Sequence, residues 1–234
     1  MCSQRYVKKK SKEEGEKPFW ISFSDLMTAL MVMFLVVMAV ALLAVTSPGD
    51  AQQKAIDDWV LILEQKLNSD FPGVNYQRNK NTIDFGSRAN FKFGKSEFEG
   101  SVDDAREKEE ALRKFVPALL ALANDELGKK VVKRVVVEGY TDKRGTYLSN
   151  LDLSLRRSER VLCILLDDAG RYPLTAEGKK QVRELFLVGG YSFNNEKSSD
   201  EESRRIEMRI EFLGAFESRK TTPANSVEFG KCPL

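Results

Sequence analysis

Histidine is absent from all 234 residues. That absence removes imidazole acid–base catalysis, most zinc enzymes and every nucleophile system built on a Ser–His or Cys–His pair. No glycine-rich nucleotide loop is present either. The chain is therefore not expected to be an enzyme, nor to carry a metal or an organic cofactor. Cysteine is scarce, with three in the chain. Long apolar runs are scarcer still. One stands out, residues 26–45, where Thr28 carries the one polar side chain. About twenty such residues cross a hydrocarbon core as a helix, so a single membrane span is expected.

Neither sign of charge dominates, since the net charge is +2, yet the basic residues ahead of the span are clustered. Arg5, Lys8, Lys9, Lys10, Lys12 and Lys17 precede it, while Ser47-Pro48-Gly49-Asp50 follows it. Basic flanks stay on the cytoplasmic side, which sends everything after the span outward, into the periplasm of a Gram-negative cell. Glu13, Glu14 and Glu16 interrupt the basic stretch, so it reads as a topology signal and not as a nucleic-acid site. A cleavable leader is the rival reading; the apolar run is too long for one, although the alanines at 41 and 44 keep it open. Cys163 and Cys232 fall on the outer side, where disulfides form. Either they bridge, or Cys163 is buried on a helix and Cys232 is a free tail thiol.

At the start of the span stands Asp25, within Phe19-Trp20-Ile21-Ser22-Phe23-Ser24-Asp25-Leu26-Met27-Thr28. A carboxylate at a helix start can be a cap. Here the apolar segment begins earlier, and at 1.5 Å per residue Asp25 lies about 10 Å inside a helix starting near Phe19. Trp20 suits the interfacial belt. Acids inside membrane segments are costly and usually mark an ion pathway. A carboxyl group can alternate between neutral and charged, because desolvation favours its protonated form and a hydrated channel its anion. Ser24 and Thr28 supply hydroxyls nearby.

The series Phe23-Ser24-Asp25-Leu26-Met27-Thr28-Ala29-Leu30-Met31 resembles the B subunits of ion-driven stator motors. It is more similar to the Zorya anti-phage defence motor than to the flagellar MotB type, whose usual pattern is Tyr-Ala-Asp-Met-Met. The resemblance implies that Asp25 carries the coupling ion, a proton with sodium as the alternative, and that Ser24 and Thr28 assist. It also implies a homodimer whose two helices sit inside a pentameric ring of membrane A subunits.

Beyond the span, Ile56, Val60, Leu63 and Leu67 recur at four- and three-residue steps, with Trp59 and Ile62 widening the face. This predicts a helix over residues 52–68, separated from the span by Pro48-Gly49. In stator B subunits this position holds a plug or a dimerising segment. A helix packed on its own domain would show the same pattern. Strands are predicted at 74–78, 82–85, 131–137, 185–191 and 206–212, and helices at 103–124, 148–168 and 175–184, with Pro117 kinking the first. The strand at 131–137 is apolar at nearly every site, Lys133 and Arg134 excepted, and reads as central. The order implies an α+β domain with helices on one face of a mixed sheet.

Gly139-Tyr140-Thr141-Asp142, then Gly145, Asn150, Leu153-Ser154 and Arg157, resemble the OmpA/MotB-type peptidoglycan-binding signature, and Phe91-Lys92-Phe93-Gly94-Lys95-Ser96-Glu97-Phe98 resembles the loop that opens such a domain. The resemblance implies that Asp142 and Arg157 clamp the ammonium and carboxylate of the stem-peptide diamino acid. Thr141, Asn150 and Leu153 would line the groove, joined by Arg204 from Ser203-Arg204-Arg205-Ile206-Glu207. Ser203 and Tyr140 depart from the family's Asn and His. A zwitterion suits one carboxylate facing one guanidinium, since Arg offers a carboxylate a fork. A plain Asp142–Arg157 salt bridge is the alternative. The expected layout is a cytoplasmic stretch (1–18), a span (19–46), a linker with an amphipathic helix (47–73), an OmpA-like domain (74–213) and an irregular tail (214–234).

Overall fold

The computed structural model describes residues 17–219 and 229–232, with side chains withheld at 17–22 and 45–47. The basic residues up to Lys12, the Trp20 belt position and much of the tail lie outside those limits. The chain divides into two compact units, Met1–Asp50 and Ala51–Leu234.

In the first unit, helix α1 (Lys17–Asp70) begins. Its side chains from 23 to 44 are exposed, and the stretch is long and apolar enough to cross a membrane. Pro48 was expected to break the helix. The helical assignment instead runs through Ser47-Pro48-Gly49. Proline removes one backbone donor, and an otherwise continuous helix can absorb that loss.

The second unit begins with the rest of α1. Its elements are then β1 (Asn75–Gln77), β2 (Thr82–Asp84), a 3-10 turn (Gly86–Ala89), α2 (Val102–Asn124), α3 (Gly128–Val131), β3 (Val132–Gly139), α4 (Tyr147–Leu166), α5 (Ala176–Leu185), β4 (Phe186–Gly190), α6 (Asp200–Ser203) and β5 (Ile206–Phe212). The sheet order is β1-β2-β5-β3-β4, with β3 parallel to β4 and antiparallel to β5. The sheet is therefore mixed, and β3 is paired on both edges. Strand alternation sorts the residues. Val135, Val137, Ile206, Met208 and Ile210 join the core with Phe115, Leu119, Val161 and Leu165 from the helices. On the alternate positions Arg209 pairs with Glu138 at 2.5 Å and Arg134 with Glu211 at 2.5 Å. Helix α2 opens on a capping box between Ser101 and Asp104 and passes through Pro117 without interruption.

The seam of the 52–68 stretch is spent on this core. Trp59, Val60, Leu63 and Leu67 are buried in it, and Trp59 donates its indole N–H to the Leu122 carbonyl at 3.1 Å. Gln52 donates to the Lys130 and Leu213 carbonyls. Of the three roles the periodicity allowed, packing on its own domain is the one that accounts for these contacts. The compact unit thus begins at Ala51, well before the boundary expected at residue 74. The tail is tied down as well. Arg219 donates to the Ala123, Gly128 and Val132 carbonyls, and Cys163 is bonded to Cys232.

Candidate functional site

Two glycines bring the site together. A Cβ on Gly139 would lie 1.9 Å from the Ser154 carbonyl oxygen, and one on Gly190 would lie 2.8 Å from the Leu151 oxygen. These glycines face each other across β3 and β4. Only residues without side chains let α4 rest directly on the strand ends. Gly145 then takes a φ of +99°, and Thr146 caps α4 by accepting from the Ser149 N–H. Thr141 and Asp142 leave the end of β3 while Asn150, Leu153 and Arg157 project from α4. All five line one cavity of about 510 Å³, together with Phe93, Lys95 and Arg144.

Asp142 is buried within this cavity, and its carboxylate is fully engaged. One oxygen accepts from the Arg144 backbone N–H at 3.1 Å and from Arg144 Nε at 3.3 Å. The other accepts from Arg144 Nη2 at 2.8 Å and from Arg204 Nη1 at 3.3 Å. Burial, the largest single influence, pushes the Asp142 pKa up. The hydrogen bonds from Arg144 and Arg204 together outweigh it and hold the group below the usual carboxylate range. Arg204 is itself fixed, donating Nε to the Phe91 carbonyl at 3.0 Å and reaching Glu99 at 3.5 Å.

Arg157 is arranged differently from the open fork expected of a ligand clamp. It is fully buried and donates to three carbonyls: Lys95 at 3.0 Å, Tyr140 at 2.7 Å and Lys92 at 3.1 Å. Its guanidinium also lies 5.2 Å from the Phe91 ring centre. Burial pushes its pKa down to about 10, which leaves it charged at neutral pH. Arg157 thus forms the floor of the cavity and staples the 91–98 loop to the end of β3. Its positive charge still bears on Asp142, but the hydrogen-bonding partners of Asp142 are Arg144 and Arg204.

Asn150 is buried and donates to the Arg144 carbonyl at 2.9 Å, holding the turn. Thr141 is buried, and its hydroxyl has no hydrogen-bond partner among the described residues. Leu153 is half-buried in the wall. The departures from the family pattern, Tyr140 and Ser203, are buried and do not line the cavity. Tyr140 turns its hydroxyl to Glu138 at 2.7 Å, where burial pushes its pKa up. Ser203 donates to the Ser199 carbonyl and accepts from the Lys197 N–H, closing the 193–200 loop.

Arg144 was not anticipated from the sequence. The available signal was its place two residues after Asp142 and just before Gly145, where an Asp side chain folds the backbone back onto itself. In the span, Thr28 donates its hydroxyl to the Ser24 carbonyl at 2.7 Å, so in this rotamer it offers Asp25 acceptor lone pairs only.

Among the described residues one helical stretch is long and apolar enough to cross a membrane, and it carries a single acid between residues 23 and 44. An α+β unit with a charged cleft follows it in sequence, the layout of a membrane-anchored binding protein. Residues 4–47 match the family described as membrane MotB of the proton-channel complex MotA/MotB. The chain is 42% identical to Zorya protein ZorB of Escherichia coli O139:H28, over 95% of this chain and 91% of that protein. The chain belongs to the ZorB family. Among solved structures, the periplasmic domain of MotB is 16% identical, covering 58% of this chain and 65% of its own, at a TM-score of 0.38. The cell wall anchor of the T6SS from Pseudomonas aeruginosa is 20% identical, covering 64% of this chain and 97% of its own, at a TM-score of 0.36. At such scores these likenesses carry no functional weight.

Proposed function

We propose that this chain is the B subunit of a proton-driven, stator-type motor of the inner membrane, acting in Zorya anti-phage defence. Two copies would present their spans inside a ring of five A subunits, and the outer unit of each would hold peptidoglycan. Asp25 carries this reading. Between residues 23 and 44 it is the one ionisable side chain, and an anchor that only tethers has no use for it. Each Asp25 would take a proton on one side of the ring and release it on the other. The neutral carboxyl could donate to Thr28 while it is shielded from water. The apolar wall from Leu30 onward would block leakage past it.

The outer cleft supplies the fixed point against which the ring turns. Asp142 would receive an ammonium group of the stem peptide, with Arg204 and Arg144 close enough to meet its carboxylate, while Arg157 and Asn150 keep the cleft in shape. Vesicles carrying the chain with its A partner and loaded with a pH-sensitive dye test the membrane half. Proton entry that disappears with Asp25→Asn is expected. Entry of equal rate in the variant would reduce the chain to a passive wall linker.

A further inference from the structure

Three arginines surround Asp142, and they are not equivalent. Arg157 and Arg204 are buried, each bonded to main-chain carbonyls. The Arg144 side chain is 49% exposed, against 4% for Asp142. It sits in the short loop between β3 and α4, with its guanidinium 4.0 Å above the Phe93 ring. A second carboxylate, Asp200, already lies 3.5 Å from its Nε. Arg144 is therefore the cation that can leave Asp142 while keeping a partner.

We infer that Arg144 is a resident counter-ion of the cleft, and that ligand enters by displacing it. The inference rests on the reading of this cleft as an ammonium-binding site. Every Asp142 oxygen is already engaged, so an incoming ammonium must take the place of a guanidinium. A simple amine would exchange one ion pair for another and leave Arg144 to water and Asp200, with little net gain. A head group with ammonium and carboxylate on one carbon would give its ammonium to Asp142 and its carboxylate to the displaced Arg144 fork. Both pairs are then kept. Arg144 thus sets specificity for a zwitterionic head over a plain amine, and the Phe93 face is the surface over which it moves.

Titration of the full-length protein in detergent with meso-diaminopimelate and with 1,5-diaminopentane tests this. Wild type should prefer the diamino acid by about tenfold or more, the scale of one retained charged pair. Arg144→Ala should lose most of that preference, binding the diamine more tightly and the diamino acid more weakly. Arg144→Lys should restore part of it. An unchanged preference in Arg144→Ala would overturn the inference while leaving the cleft's assignment intact. If wild type binds neither probe, or Asp142→Asn binds both as well as wild type, the assignment itself fails and the inference with it.

Discussion

Asp142 and Arg157 are the pair that the sequence motif joins and the structure separates. Asp142 faces the cleft, whereas Arg157 supports it from beneath through three carbonyls. Their substitutions should therefore fail differently. Arg157→Ala should destabilise the outer unit by about 3 kcal/mol, because charged hydrogen bonds are lost and buried carbonyls are left unpaired. Its denaturation midpoint should fall. Asp142→Asn should keep the fold and lose sedimentation with purified sacculi. The Asp142 pKa lies below the usual carboxylate value, so its contribution is present above the unfolded value of about 3.9 and is lost only as pH falls through the lower folded one. Binding to sacculi should stay level from pH 7 to about 4 and drop below that. The resemblance to the peptidoglycan-binding signature implied one groove for Asp142, Thr141, Asn150 and Leu153, and all four line one cavity. That resemblance could not reveal that Arg157 points at carbonyls, because that depends on where the distant 91–98 loop comes to rest.

At the scale of elements, the C-terminal part of α1 and the end of the chain brace the outer unit. Leu63→Ala, at a fully buried position, should cost about 2–5 kcal/mol, while Ile62→Ser, at a site 40% exposed, should stay within about 0.5 kcal/mol of wild type. Chemical denaturation of the two variants side by side checks this. Equal effects would mean the seam does not pack on its own core. The Cys163–Cys232 bond closes a separation of 69 residues, so Cys163→Ser should cost about 4 kcal/mol on chain-entropy grounds. The five strands and the long helices were readable from their periodicities, and β3 from the valines at 131, 132 and 135–137 that flank Lys133 and Arg134. The partner of the 52–68 seam was not readable, since a seam of period 3.5 is satisfied equally by a second copy or by the chain's own α2 and β5. The roles of Gly139 and Gly190 were also hidden, because they concern how closely α4 lies on the strands.

For the molecule as a whole, topology and ion chemistry are the decisive properties. A disulfide between Cys163 and Cys232 belongs in an oxidising compartment, and Cys2 precedes the span. A membrane-impermeant maleimide should leave the chain unlabelled in intact spheroplasts and label a single thiol, Cys2, once the membrane is permeabilised. Labelling before permeabilisation would contradict the cytoplasmic amino terminus. The central claim is that a proton moving on Asp25 drives the assembly, with the wall as its fixed point. The most direct test is phage protection in cells carrying the accompanying membrane subunit, with Asp25→Asn compared to wild type at matched expression and assembly. Asn keeps the side chain's volume and polarity but cannot take up and release a proton. Loss of protection with the complex intact is the predicted result. Full protection by the variant would contradict the account and leave a wall anchor on a plain membrane helix.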